Sequence, residues 1–123
     1  MRVTVDEARE YFSHPSQHEY GKTEKDLPEW GDYWAKGGVC LVSHNAYWPG
    51  IVMVHVGAKP EAWGGLDEDV RSLLAEIWAA EQPTRMIAWI SENNRAALAL
   101  ARRVGFEIDG YMPNGVVLMG WKG

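Results

Sequence analysis

Asn94-Arg-Ala-Ala97-Leu-Ala-Leu100-Ala-Arg-Arg-Val-Gly105-Phe106 is the stretch on which the fold turns. Ala97, Leu100, Ala101 and Val104 recur at three- and four-residue intervals, which lays them along one helical face. Asn93 or Ser91 supplies a side-chain cap before the first turn. Gly105 stands where a helix closes in a left-handed residue. Upstream, Met86 to Ile90 is a short apolar run entered through Thr84 and reads as a strand. Downstream, Phe106 to Met112 and Val116 to Trp121 flank Asn114-Gly115, the strongest short hairpin signal.

Working back toward the N-terminus, Asp67 to Glu81 predicts the longest helix. Val70, Leu73, Leu74, Ile77 and Trp78 share one face. Asp67, Glu68 and Asp69 fall in the first turn, where the helix dipole favours acids, and Pro83 ends the element. Gly57 to Gly65 is loop by composition. Ile51 to Val56 and Val39 to Ser43 read as strands, joined through the Asn-, Pro- and Gly-containing His44 to Gly50. The first 37 residues are harder to read. Val5 to Phe12 predicts a short helix with Asp6 or Thr4 near its start, and residues 13–27 a polar loop. Pro28 to Lys36 predicts a second short helix with Trp30, Tyr33 and Trp34 on one face. The expected order is α, α, β, β, α, β, α, β, β: an α/β mixed sheet with helices packed on it, not a purely parallel one.

The 123 residues suit a single domain spanning 1–123. Apolar residues at 46% and charged residues at 24% give an ordinary globular balance. A net charge of −5 argues against a broad basic face for nucleic acid. Cys40 stands alone, which excludes an intramolecular disulfide and fits a reducing compartment. No apolar h-region follows Met1, and no apolar run approaches the ~20 residues of a membrane span. A cytoplasmic protein without a membrane partner is expected. Core filling is the favoured use of the seven Trp residues.

The helical stretch resembles the element of GCN5-related N-acetyltransferases (GNATs) that runs from an Asn through an Ala to a closing Gly-Phe. Pro60-Glu61-Ala-Trp63-Gly64 is similar to the family's Pro-Glu-x-Arg-Gly at the cofactor loop. The resemblance covers roughly residues 38–122. Val54-His55 before the loop, with the Asn94 helix after it, is most similar to small phage-encoded GNAT proteins. The resemblance implies a mostly antiparallel central sheet in which two parallel strands splay, with helices on both faces. Those strands are Ile51–Val56 and Met86–Ile90. It further implies acetyl-CoA in the opening as co-substrate, with the loop and the following helix N-terminus at its pyrophosphate. Gly57, Ala58, Trp63, Gly64, Gly65, Asn94 and Ala97 are the implied cofactor-binding positions.

The sequence departs from the family at three points. Trp63 stands at the position of the loop Arg, with three acids just beyond it. Ala101 stands where many members carry a Tyr that protonates the leaving thiolate. Residues 38–57 have room for two strands where the family has three before the long helix.

Among side chains that bear chemistry, His55 comes first, because an imidazole of ordinary pKa near 6.5 suits a base for an amine. Facing the cleft it is a catalytic base; facing the helices it is a hydrogen-bonded core residue. Glu61 is a second candidate base or a plain loop acid. Asn94 either meets the cofactor's pantetheine arm or caps its helix, and the two roles are compatible. His44 reads as a loop-edge residue. Pairing 44 with 51 would put Cys40, His44 and His55 on one face, but the spacing is no zinc signature and no metal is expected. His14 and His18 fall in the polar loop. Tyr111 and Trp121 either line a substrate pocket or pair across strands. Two functions follow: an acyl-CoA-dependent N-acyltransferase acting on a small-molecule or peptide primary amine, or an inactive GNAT-like binding or structural module. Exposed strand edges leave room for a homodimer.

Overall fold

From Val39 onward the expected elements all form, and the surprises lie before them. The computed structural model describes residues 1–13, 27, 31–46 and 48–121. The strands are β1 (Arg2–Val3), β2 (Asp32–Lys36), β3 (Val39–Asn45), β4 (Ile51–Ala58), β5 (Arg85–Ser91), β6 (Phe106–Met112) and β7 (Val116–Trp121). The helices are α1 (Val5–Ala8), continued by a tight turn over Arg9–Phe12, then α2 (Asp67–Glu81) and α3 (Arg95–Arg103). The strands make one sheet in the order β1-β2-β3-β4-β5-β7-β6, antiparallel throughout except where β4 meets β5. Among the described residues no helix is long and apolar enough to cross a membrane.

One correction falls in the N-terminal third, and a second concerns tryptophan use along the chain. The helix expected over Pro28 to Lys36 is not formed: Asp32–Lys36 is strand β2, paired with β3 from Asp32↔Ser43 to Lys36↔Val39. Tyr33, Trp34 and Ala35 are consecutive and all buried. Tyr33 enters one core cluster and Trp34 the other, so these residues follow the two-residue period of a strand covered on both faces. With β2 in place, the three antiparallel strands β2, β3 and β4 lead directly into α2, with β1 further upstream, and the expected deficit of one strand is removed. Pro28, Trp30, His14 and His18 lie outside the described residues.

Tryptophan use is the second correction. Of the six described tryptophans only Trp34 is buried; Trp48, Trp63, Trp78 and Trp89 are exposed and Trp121 is half-buried. Branched and unbranched aliphatics fill the core instead. Val70, Leu73, Leu74 and Ile77 of α2 and Leu100, Ala101 and Val104 of α3 pack on Leu41, Val54, Met86 and Met119 of the sheet. Each fully buried aliphatic side chain contributes about 1.5–3 kcal/mol. The opposite face carries a smaller cluster of Ala8, Phe12, Leu27, Tyr33, Ala35, Cys40 and Val42.

Local signals explain the element ends. Thr4, not Asp6, caps α1, in a reciprocal pair with Glu7. Asn94, rather than Asn93 or Ser91, caps α3 by accepting from the Ala97 N–H at 3.2 Å. Gly105 follows α3 at φ +110°, a conformation only glycine takes without strain.

Among the described residues, the larger core contains one buried polar side chain. Ser43 is 1% exposed, and its hydroxyl accepts the Trp34 indole N–H at 2.9 Å across two strands. Ser43→Ala leaves that indole without its partner, and a stability loss of about 1–3 kcal/mol is expected in urea denaturation. An unchanged midpoint would mean that the indole bond does not help hold β2 to β3.

Candidate active site

Parallel pairing between β4 and β5 runs only from Ile51↔Arg85 to Met53↔Ile87. Both strands then continue, β4 to Ala58 and β5 to Ser91, without further pairing between them. The right-handed twist of neighbouring strands opens the gap once the hydrogen bonds stop. The result is a wedge-shaped cleft of about 780 Å³.

Strand parity decides which backbone groups face this cleft. The β3–β4 ladder is regular, and it is bracketed by Ala46 N–H to Ile51 O at 2.9 Å and Lys59 N–H to Gly38 O at 2.9 Å. Odd-numbered residues of β4 therefore turn their N–H and C=O toward β3, and even-numbered ones turn them toward β5. Beyond Met53, Val56 and Ala58 aim their N–H groups into the opening. Gly57 pairs with Cys40 instead. The part Gly57 plays is steric, since a Cβ there would lie 2.6 Å from the Phe12 ring.

The cleft is lined by side chains from both faces of the sheet. On the helical side it is lined by Val54, Val56, Ala88, Ile90, Val70, Leu74 and the small side chains Ala97 and Ala101 of α3. Ala101 puts only a methyl group on this wall. On the other side, Phe12, Leu27, His44, Met53, His55, Trp89 and Ser91 line it. His55 thus faces the cleft and not the helices. Its Nε2 lies 3.3 Å from Nε2 of His44, and the two rings meet edge to edge, with centroids 5.4 Å apart and 20° between planes. The pair forms because His44 stands opposite Met53 and His55 opposite Val42, a diagonal neighbour pair on one face. The observed register differs by two residues from the expected pairing of 44 with 51, and a shift of two preserves the face. Cys40 shares that face but sits buried in the smaller cluster, where burial pushes its thiol up to about 12.

At the β4–α2 loop, the N–H groups of Ala62, Trp63 and Gly65 close turns onto Lys59, Pro60 and Ala62 carbonyls. Trp63 and Gly65 therefore do not aim their amides at a ligand. Gly64 has φ +88°, and a Cβ at Gly64 or Gly65 would meet nothing within 4 Å, so this rim is open. Leu66 at the start of α2 offers no side-chain cap, which leaves first-turn N–H groups for an anion. Two of the three first-turn acids have partners away from this position. Asp67 is held by Arg103 through two hydrogen bonds of 2.8 and 3.2 Å. Asp69 turns to the Gly37 bend, where an added Cβ would lie 2.6 Å from its carboxylate. Lys59 is tied to Glu10 at 2.9 Å and lies over Tyr11, fastening the loop to the N-terminal segment.

The expected site residues divide accordingly. His55, Asn94 and Ala97 line the cleft, and Ala58 borders it through its backbone. Glu61, on an exposed turn, lies away from the cleft lining, as do exposed Tyr111 and Trp121, whose indole N–H bonds the Val104 carbonyl at 2.9 Å. Sequence reading set His44 on the face of His55 but took it for a loop-edge residue, and it missed Trp89 and Val56. Strand alternation carried to the correct register would have placed all three.

No protein-family model and no curated relative matches the chain. Solved structures do match. Aminoglycoside acetyltransferase AAC(6')-Ib with ribostamycin and coenzyme A superposes with a TM-score of 0.74 at 18% identity, over 98% of this chain and 90% of that one. An IAA acetyltransferase from Bacillus cereus gives 0.67 at 13% identity, over 98% and 96%. A GNAT-family acetyltransferase from Bacillus anthracis gives 0.54 at 14% identity, over 68% of this chain and 55% of that one. At these identities the likeness establishes the fold, which is that of GNAT acetyltransferases.

The Asp67–Arg103 pair joins the start of α2 to the end of α3. Arg103 holds the Asp67 carboxyl below its ordinary value of 3.8. Its contribution to stability is therefore complete above that value and lost as pH falls through the lowered one. Arg103→Gln should remove this part of the acid-side loss, seen as a flatter curve of urea midpoint against pH below about 4. Superimposable curves for the two proteins would show that the pair does not contribute.

Proposed function

We propose that the protein transfers an acyl group, acetyl in the first instance, from acyl-CoA to a primary amine. The observation that carries this reading is the parting of β4 and β5 with the Val56 and Ala58 amides aimed into the gap. Those two N–H groups would hold carbonyl oxygens of the pantetheine arm and of the thioester. Apolar walls from Val54, Ala88, Ile90, Ala97 and Ala101 suit a thin, mostly aliphatic arm. The uncapped start of α2 with Gly64 beside it would take the pyrophosphate, and the amide of Asn94, whose oxygen already serves Ala97, would present its NH₂ end to the arm.

The acceptor would enter from the opposite side, between the histidines, Trp89 and Phe12. His55 would take the proton that the amine loses as its nitrogen bonds to the carbonyl carbon and the carbon–sulfur bond breaks. The thiolate leaves and gains its proton from solvent, because Ala101 has none to give. The N-terminal segment reaches this side through Phe12 and Leu27, so it shapes acceptor choice.

A second reading, a binding module of the same fold without catalysis, draws on Trp63 in place of a basic loop residue and on the Trp63 and Gly65 amides spent inside the loop. One experiment separates the two. With acetyl-CoA at ~100 times its dissociation constant, thermal unfolding should gain about 2.7 kcal/mol of stability. Ala97→Trp, which fills the cleft, should abolish the gain. No shift in millimolar acetyl-CoA would favour the binding module. Across a panel of primary amines, His55→Ala should lower turnover by ~10²–10⁴ while the thermal shift survives. Unchanged turnover would remove His55 from the chemistry.

A further inference from the structure

We propose that the acceptor is a small monoamine with an aromatic body, not a polyamine, and that Trp89 is the residue that selects it. This deepens the acyltransferase reading and rests on it for the chemistry, but the choice of ligand is testable without the donor.

Strand geometry puts Trp89 across the cleft from His55. Met53 and Ile87 are the last residues paired between β4 and β5. Two positions further along each strand stand His55 and Trp89, which by alternation project from the same face as Met53 and Ile87. Met86 and Ala88, on either side of Ile87, belong to the larger core with α2 and α3, so Trp89 projects from the opposite face of the sheet. Both His55 and Trp89 line the cleft. An amine whose nitrogen reaches His55 therefore has its body beside the Trp89 indole. Trp89 is 39% exposed, so such a ligand would cover indole surface that now meets solvent.

The rest of this side is apolar. Phe12, Leu27, Val42 and Met53 are buried side chains that line the same cleft. Its polar side chains are Ser91 and the two histidines. Among the described residues that line the cleft, none is Asp, Glu, Lys or Arg. An imidazole is neutral or positive and supplies no negative charge. The reacting nitrogen must shed its proton before it attacks, so it asks for no lasting counter-charge. A second ammonium close to it would leave water and meet no opposite charge on these walls, which is costly. An aromatic ring in the same place gains contact with the indole and the aliphatic walls and leaves nothing polar unpaired.

Calorimetry without donor, at about pH 8, compares phenethylamine with ethanolamine and spermidine. Phenethylamine should bind about tenfold or more tightly than either. With saturating acetyl-CoA, release of the coenzyme A thiol should rank the three amines in the same order by kcat/KM. Trp89→Ala should bring the phenethylamine-to-ethanolamine ratio of affinities toward one, and Trp89→Phe, which keeps a ring, should retain most of it. Trp89→Glu, which puts a carboxylate across from His55, should turn the preference toward spermidine. Tighter binding of spermidine than of phenethylamine by the unaltered protein, no binding of phenethylamine, or a ratio unchanged in Trp89→Ala would overturn the proposal. If phenethylamine binds with this dependence on Trp89 and no acyl transfer is seen, the ligand class stands and the acyltransferase reading fails alone.

Discussion

The loss of pairing between β4 and β5 after Met53 and Ile87 is the constraint around which the molecule is arranged. A parallel pair inside a sheet ordinarily continues, because unpaired backbone amides away from water are costly. Here the split is held from both faces. α2 and α3 pack their aliphatic stripes against the sheet on one side, and the Phe12 ring lies flat on Gly57 on the other. The Asp67–Arg103 pair and the Arg71 bond to the Arg103 carbonyl at 2.6 Å keep α2 and α3 together above the opening. The cleft is thus a built feature of the sheet, with backbone groups of β4 facing inward.

The same parity that exposes the Val56 and Ala58 amides puts His44 and His55 on the far face. One strand therefore serves both sides of the cleft, with even-numbered residues presenting backbone toward β5 and odd-numbered residues presenting side chains to the face away from α2 and α3. A one-residue slip of β4 would exchange these roles. It would also drive Val52 and Val54 out of the larger core, which is why the register is firmly set.

Much of this was legible in the sequence. The Asn94 to Phe106 stretch, the Asp67 to Glu81 stripe and Asn114-Gly115 each carry a local signal strong enough to fix their element. β2 was not legible, because Tyr33, Trp34 and Ala35 are buried on both faces and show no alternation, while Trp30, Tyr33 and Trp34 happen to match a helical interval. The exposure of four tryptophans was equally hidden, since hydrophobicity does not say whether a side chain has anything to pack on. At the site, His55 could be named, but its face hung on a register that composition does not give. His44 looked like the edge of a loop because Asn45, Pro49 and Gly50 follow it closely. Only the pairing of β3 through Asn45 brings it beside His55. Asp67 and Asp69 at the start of α2 looked hostile to an anion because their partners, Arg103 and the Gly37 bend, are distant in sequence.

The central claim is that the open edge of β4 receives the thioester arm of acyl-CoA. Backbone amide spectra recorded while coenzyme A is added test it most directly. The account predicts that the Val56 and Ala58 amides shift and exchange more slowly with solvent, while those of Met53, His55 and Gly57, bonded to β3, change little. Binding that leaves Val56 and Ala58 untouched, or perturbs the two sets alike, would contradict it.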